Sequence, residues 1–339
     1  MSGRVSITDV ARAAKVAQSS ASAALNDQPG VSEATRQRVK DVAKQLGYAP
    51  LMRGKMLSSK RSFQIGLVLE RPTDVLESDP FFGAFIAGVE QAIAPHDYAL
   101  VLQVAESRER ELDSYREMAA SERVDGVLLN EIRVDDPRAA LLAELRLPAV
   151  AVSPWKECAN LPMVCQASAP GIAAATRHLI KLGHTRIAHV CGPKEYVHTH
   201  ERLQAWEATL VEAGLQPGPV LQGDFGLAGG TAAAEELLGL NPSPTAVVCV
   251  NDLCAIGLQL RLQQAGLSIP KDISITGFDG ITIGEYVTPA LTTVQSTPTQ
   301  VGKQAAALLL AHIDDPKSAP MKVEVPAGEL VIRGSTGRR

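Results

Sequence analysis

Few side chains in this sequence are placed for covalent chemistry. His198 and His200 stand two positions apart, a spacing open to metal ligation, but no cysteine or carboxylate near them completes a ligand set. The paired acids Asp135-Asp136 and Asp314-Asp315 adjoin prolines and read as turns or helix starts. No nucleophile-elbow, zinc-protease, P-loop or dinucleotide-glycine motif occurs, so no enzyme, cofactor or metal centre is expected. The chemistry on offer is hydrogen bonding. In VAQSSASAALN, residues 16–26, Gln18 and Ser19 can bond base edges and Ala23 can touch a thymine methyl, because small side chains let a helix approach the floor of a major groove. Thr8, Ser20, Ser22 and Asn26 add hydroxyl and amide groups to the same surface, where phosphate contacts would fix its register.

These groups need a scaffold, and the first sixty residues supply one. Ser6 can cap a helix with Ile7, Val10, Ala11 and Ala14 on one face and Asp9 completing a capping box. After a turn at 15–17, a second helix turns Ala21, Ala24 and Leu25 inward and leaves Gln18, Ser19, Ser22 and Ala23 outside. A third starts at Ser32, buries Val39, Val42, Ala43 and Leu46, and stops at Gly47. Three short helices of this kind form a helix-turn-helix unit. Charge agrees: residues 1–61 hold 11 Lys/Arg against 4 Asp/Glu, whereas the remaining 278 hold 22 against 33. A basic head on an acidic body is the footprint of polyanion binding confined to one end.

Beyond residue 62 the pattern changes. The runs QIGLVL, YALVLQV, VDGVLL, PAVAV, RIAHVC, TAVVCV and ISITGF alternate with helix-length amphipathic segments, which predicts parallel sheets covered by helices. So much α/β sequence exceeds one comfortable core, so two similar lobes are expected. In open α/β sheets, ligands sit beyond the C-terminal ends of strands. That rule picks out Asn130 after VLL, Phe225 after the QGD run, Asn251-Asp252 after VVCV and Asp279 after ITGF. The five cysteines are odd in number and have no C-x-x-C spacing, so neither a disulfide framework nor a zinc site is expected. No signal-peptide pattern and no apolar run of spanning length is present, from which a soluble cytoplasmic protein without a membrane partner is expected.

The segment ITDVARAAKVAQSSASAALNDQPGVSEATRQRVKDVAKQLGYAP closely resembles the head of the LacI/GalR family of bacterial transcription regulators, through T-x-D-V-A, V-x-x-x-S-x-S-x-x-L-N, V-S-x-x-T-R and L-G-Y-x-P. The resemblance places Gln18, Ser19 and Ala23 on the family's base-reading positions. Ala23 stands where many members have Arg or His, so the operator preference should be this chain's own. Residues 50–61, PLMRGKMLSSKR, are similar to the family hinge that becomes helical in the minor groove, with Leu57 matching the leucine wedged into the central base step. Gly54-Lys55 departs from the usual Ala-Arg, and glycine costs about 1 kcal/mol of helix propensity.

The resemblance continues through the body and implies two Rossmann-like lobes of the periplasmic-binding-protein-like type, with the chain crossing near 162, 292 and 323. The implied domains are a helix-turn-helix head at 1–49, a hinge at 50–61 and an effector-binding and dimerisation body at 62–339. Its N-lobe covers about 62–161 and 293–323, and its C-lobe about 162–292 and 324–339. Asn130, Phe225, Asn251 and Asp279 match effector-site positions; Phe81-Phe82 resembles the aromatic pair opening the first crossover helix, and Arg202 aligns with the arginine that grips the effector. Ser153 and Tyr196 differ from the aspartate and arginine that other members use in the pocket, which favours a sugar or sugar derivative over a purine. His198 beside Arg202 would add positive charge, which opens the way to a phosphorylated or acidic sugar.

The resemblance therefore implies a homodimeric, nucleoid-associated repressor, binding a pseudo-palindromic double-stranded operator under control of a small metabolite. The short basic end VIRGSTGRR carries no tetramerisation heptad, so a dimer is expected. A stand-alone transport-type binding protein is the alternative, and it would lack the basic head.

Overall fold

The computed structural model describes residues 5–26, 29–48, 56, 59, 61–71, 79–153, 158, 160–317 and 321–339. It divides into two compact units, Met1–Phe63 and Gln64–Arg339. The first contains helices α1 (Ile7–Ala13), α2 (Gln18–Leu25) and α3 (Glu33–Gln45). Ser6 and Asp9 form the reciprocal capping box at the start of α1. Val10, Ala11, Ala14, Ala21, Ala24, Val39 and Ala43 make the core, with Val42 and Leu25 at its margin. Leu46, expected inside, is 39% exposed, because it caps α3 and the chain turns away at Gly47, whose φ of +66° favours glycine.

The second unit holds two six-stranded sheets. The first comprises β1 (Gln64–Glu70), β2 (Ala99–Ala105), β3 (Gly126–Leu129), β4 (Ala149–Val152), β5 (Met163–Gln166) and β11 (Lys322–Val325), in the order β11-β5-β4-β3-β1-β2. The second comprises β6 (Ile187–Cys191), β7 (Val220–Gln222), β8 (Ala246–Cys249), β9 (Ser274–Asp279), β10 (Thr292–Gln295) and β12 (Glu329–Val331), in the order β12-β10-β9-β8-β6-β7. All pairings are parallel except β10 with β12. The helices between them are α4 (Pro80–Ile93), α5 (Arg108–Ala120), α6 (Arg138–Glu144), α7 (Ala169–Lys181), α8 (Val197–Glu212), α9 (Leu227–Leu238), α10 (Asp252–Gln264) and α11 (Pro298–Asp314).

The uninterrupted apolar strands follow from burial on both faces. In β6, Ala188 and Val190 join a core with α9 and α10, whereas Ile187 joins a separate core on the opposite face with α7 and α8. Every strand run read from the sequence forms a strand. The crossings fall later than expected: β5 belongs to the first sheet and β10 to the second, so the chain changes sheets after 166, 295 and 325. The expected points at 162, 292 and 323 precede or interrupt strands that must finish pairing before the chain can leave. With both sheets ending their strands at these crossings, the two sets of C-terminal strand ends face one cavity.

Candidate functional site

In the head, α2 carries the residues suited to base contact. Gln18 and Ser19 are exposed at its N-terminal end, where Ala17 provides no side-chain cap, and Ala21 and Ala24 are buried beneath. Ser20, Ser22 and Ala23 are half-buried along the same helix, and Thr8 is exposed on α1. Asn26 donates to the Ser22 carbonyl at 3.0 Å and thereby closes the helix, which leaves less of it for DNA than its type suggests. Leu57 lies outside the described residues, as does Gly54-Lys55.

In the body, a cavity of about 120 Å³ is lined from both sheets. The first sheet contributes Arg71 after β1, Asn130 and Glu131 after β3, Ser153 after β4 and Gln166 at the end of β5. The second contributes Asn251 after β8, Phe278 and Asp279 at the end of β9, and Ser296 after β10. Helix starts complete the wall: Asp79, Phe81 and Phe82 at α4, and His198, Glu201 and Arg202 in the first turns of α8.

Arg202 organises one side. Its Nη1 donates to the Val250 carbonyl at 2.6 Å, and its guanidinium carbon sits 3.9 Å from the centre of the Phe278 ring. Nη2 is 3.9 Å from Asp279 Oδ1, and Nε has no hydrogen-bond partner among the described residues. Burial lowers the Arg202 pKa against the pull of Asp279 and Glu201, and burial holds the Asp279 carboxyl well above its ordinary value. Asp279 has φ of +111°, a backbone region that non-glycine residues rarely occupy, so its carboxyl is aimed at some conformational cost.

Arg71 organises the other side. It forms a bidentate pair with Glu131, its Nε donating to Oε2 at 2.8 Å, and its guanidinium lies 4.4 Å from the Phe225 ring centre and 4.9 Å from that of Tyr196. Phe225 therefore already has a cation on its ring. Phe82 is 3% exposed and packs edge-on to Phe81 at 5.6 Å, so Phe81 is the more accessible aromatic of the pair.

Other expected residues divide. Asn130 is buried in the wall; its Oδ1 accepts from the Glu131 amide at 2.9 Å and its Nδ2 has no partner among the described residues. Asn251 also lines the cavity, but its Oδ1 caps α10 through the Cys254 amide and its Nδ2 donates to the Phe225 carbonyl, so both ends of its amide serve the fold. Tyr196 is not among the lining residues and stacks behind His198 at 5.6 Å. Desolvation, with Arg202 and Arg71 nearby, pushes the His198 pKa well below its ordinary value, which works against the positive charge expected of it.

Sequence reasoning missed Arg71, Asp79, Glu131, Gln166, Glu201 and Ser296. The strand-end rule that found Asn130 reaches Arg71 and Glu131 equally well. Gln166 and Ser296 follow from it only once β5 and β10 are recognised. No helix of the described residues is long and apolar enough to cross a membrane.

Residues 6–50 match the family model described as bacterial regulatory proteins, lacI family, and residues 176–336 match the periplasmic binding protein-like domain. The chain is 32% identical over 338 residues to the HTH-type transcriptional repressor PurR of Aliivibrio fischeri, with 98% of each chain covered. It is similar to the solved complex of the transcriptional regulator CelR with cellobiose, at 30% identity and a TM-score of 0.74 over 98% of this chain and 100% of that one. It shares the fold of a lac repressor dimer bound to operator and the anti-inducer ONPF, at 24% identity and a TM-score of 0.82 over 99% of this chain and 100% of that one. An N-terminal helix-turn-helix joined to a two-sheet α/β body, with identity to a repressor along nearly its whole length, places this chain in the lacI family of bacterial regulatory proteins.

Proposed function

We propose that this regulator is a repressor that binds a pseudo-palindromic operator as a homodimer, through Gln18, Ser19 and Ala23 of α2, and that a small polyhydroxylated metabolite in the body cavity controls it. The observation carrying the reading is that both sheets send polar strand ends into one cavity, while a basic head presents an uncharged helix with exposed Gln18 and Ser19. Its relatives are repressors, and the chain is a DNA-binding regulator rather than an enzyme. The operator-bound dimer of the lac repressor and the cellobiose complex of CelR support the corresponding partners here.

A dimer is further supported by the outer edge of β2, unpaired among the described residues, by the exposed Leu102 and Val104 of that strand, and by exposed Leu260, Ile283 and Tyr286 in the second lobe. Exposed edge strands and apolar side chains of this size are normally covered. In the cavity, Arg202, Asp279 and Asn130 would bond ligand hydroxyls and Phe81 would pack against an apolar ring face. The hinge at 50–61, with Leu57 in the minor groove, would transmit the state of the lobes to the heads, as a ligand does only if it binds two arrangements with different affinity.

The test is footprinting of the full chain on DNA flanking its own gene at low ionic strength. A protected, two-fold-related pair of half-sites about one helical turn or a multiple apart is expected. Failure to protect any fragment would overturn the proposal.

A further inference from the structure

The charges lining the body cavity do not balance. Two guanidinium groups, Arg71 and Arg202, face four carboxyl groups, Asp79, Glu131, Glu201 and Asp279. Arg71 is taken up by Glu131. Arg202 gives Nη1 to the Val250 carbonyl and stands 3.9 Å from Asp279, beyond hydrogen-bond distance. Asp79 Oδ1 accepts from the Phe81 amide at 3.0 Å, and Glu201 Oε2 from the Ser168 hydroxyl at 3.1 Å. The other oxygens of Asp79 and Glu201, and both of Asp279, have no hydrogen-bond donor among the described residues. Desolvation disfavours the charged form of His198, which lines the same cavity. Burial raises the pKa of all four carboxyl groups, Glu131 included despite its pairing with Arg71, because desolvation penalises negative charge in this cavity.

A second observation is independent of the acids. Asn130 is 6% exposed and lines the cavity with a donor, Nδ2, that has no partner among the described residues. A buried amide donor left empty is costly, so the site also asks for a neutral acceptor oxygen from what it binds. Hydroxyl groups answer both demands, since each can donate to a carboxylate and accept from an amide.

We infer that the molecule held in this cavity is rich in hydrogen-bond donors and carries no negative charge: a neutral polyhydroxylated ring compound or its amino derivative, with phosphorylated and carboxylated forms excluded. The inference rests on the cavity being the effector site. It reverses the expectation from the sequence that His198 would admit an acidic or phosphorylated sugar. An anion brought here would meet the unpaired acids in a poorly screened interior, with no free cation among the described residues except the outer edge of Arg202.

Matched ligand sets test it on the full chain by thermal shift and calorimetry: ribose with ribose 5-phosphate; glucose with glucosamine, glucose 6-phosphate and gluconate; adenosine with its 5'-monophosphate. In any set that responds, the neutral or amino member should bind about 100-fold more tightly than its anionic counterpart, equivalent to about 2.8 kcal/mol. The variant Glu201→Gln should narrow that ratio about tenfold, whereas a purely structural role for Glu201 would weaken all members alike and leave the ratio unmoved. An anionic member binding as tightly as the neutral one would overturn the inference and leave the cavity reading intact. No response to any compound would count against both.

Discussion

At the residue scale, burial decides which titratable groups matter. His189 on β6 is fully buried and stacks on Trp206 at 5.4 Å, and burial, partly opposed by the Val248 backbone, pushes its pKa down to about 3. A histidine whose folded pKa lies below its unfolded value of 6.5 contributes stability that is present above 6.5 and is lost as pH falls from there toward 3. Linkage puts that loss at about 2 kcal/mol between pH 7 and pH 5. The variant His189→Phe keeps a flat ring against Trp206 and removes the titration, so its stability relative to the parent should rise by about that amount over the same interval. Denaturant melts at the two pH values measure it, and an unchanged difference between the proteins would refute the assignment. The same scale shows what the sequence could convey. Asn130 and Asp279 were readable because their only qualification is to follow an apolar run. Arg202 was not readable from local pattern, since an arginine near a helix start is ordinarily on the surface; only the family alignment raised it. The downward shift of the His198 pKa was not readable either, because it comes from burial, then from Arg202 and from Arg71, 127 positions away in the chain, which no local pattern records.

At the element scale, helix packing turns on two glycines. Gly88 in α4 faces the Thr299 carbonyl of α11, and Gly302 in α11 faces the Phe85 carbonyl of α4, so each helix presses its glycine against the backbone of the other. A Cβ on either would collide with main chain, which yields less than a side chain does. Gly302→Val should therefore cost about 3 kcal/mol or more, lowering the melting temperature by roughly 6 to 12 °C in a domain of this size. Gly83 lies in α4 as well, with open space around its Cβ position, and Gly83→Ala should stabilise by up to about 1 kcal/mol through helix propensity. Calorimetry on both variants separates close approach from propensity; two changes of the same sign would contradict this account. Long apolar strands such as β1 were plain in the sequence. The elements it did not reveal are β5, β7, β10, β11 and β12, of three or four residues each, several with polar ends such as Gln166 and Gln295. Such strands are fixed by neighbours already in a sheet rather than by their own pattern, and because β5, β10 and β11 each end at a crossing, the expected crossing points came out a few residues early.

At the scale of the whole molecule, reading DNA and sensing a metabolite fall to parts with opposite charge. The basic excess sits in the first 61 residues, and the remainder is acidic, so salt should act on operator binding through the heads alone. If two heads together neutralise about ten phosphates, the logarithm of the binding constant should fall with a slope of about −9 against the logarithm of salt concentration. Arg202 lies in the cavity wall of the other unit, so its removal should leave that slope unchanged. Its loss strips the cavity of the cation beside Asp279 and leaves that buried carboxyl without the partner nearest in charge. The variant Arg202→Ala should thus keep operator affinity within about twofold at every salt concentration, while a ligand found by thermal shift no longer changes that affinity. The coupling between sites is a free-energy difference, commonly 1 to 3 kcal/mol, and it vanishes when the ligand ceases to distinguish the two lobe arrangements. Operator titrations across a salt series, with and without ligand, measure both quantities in one experiment. Parallel loss of operator affinity and ligand response would mean that Arg202 holds the body together rather than the metabolite.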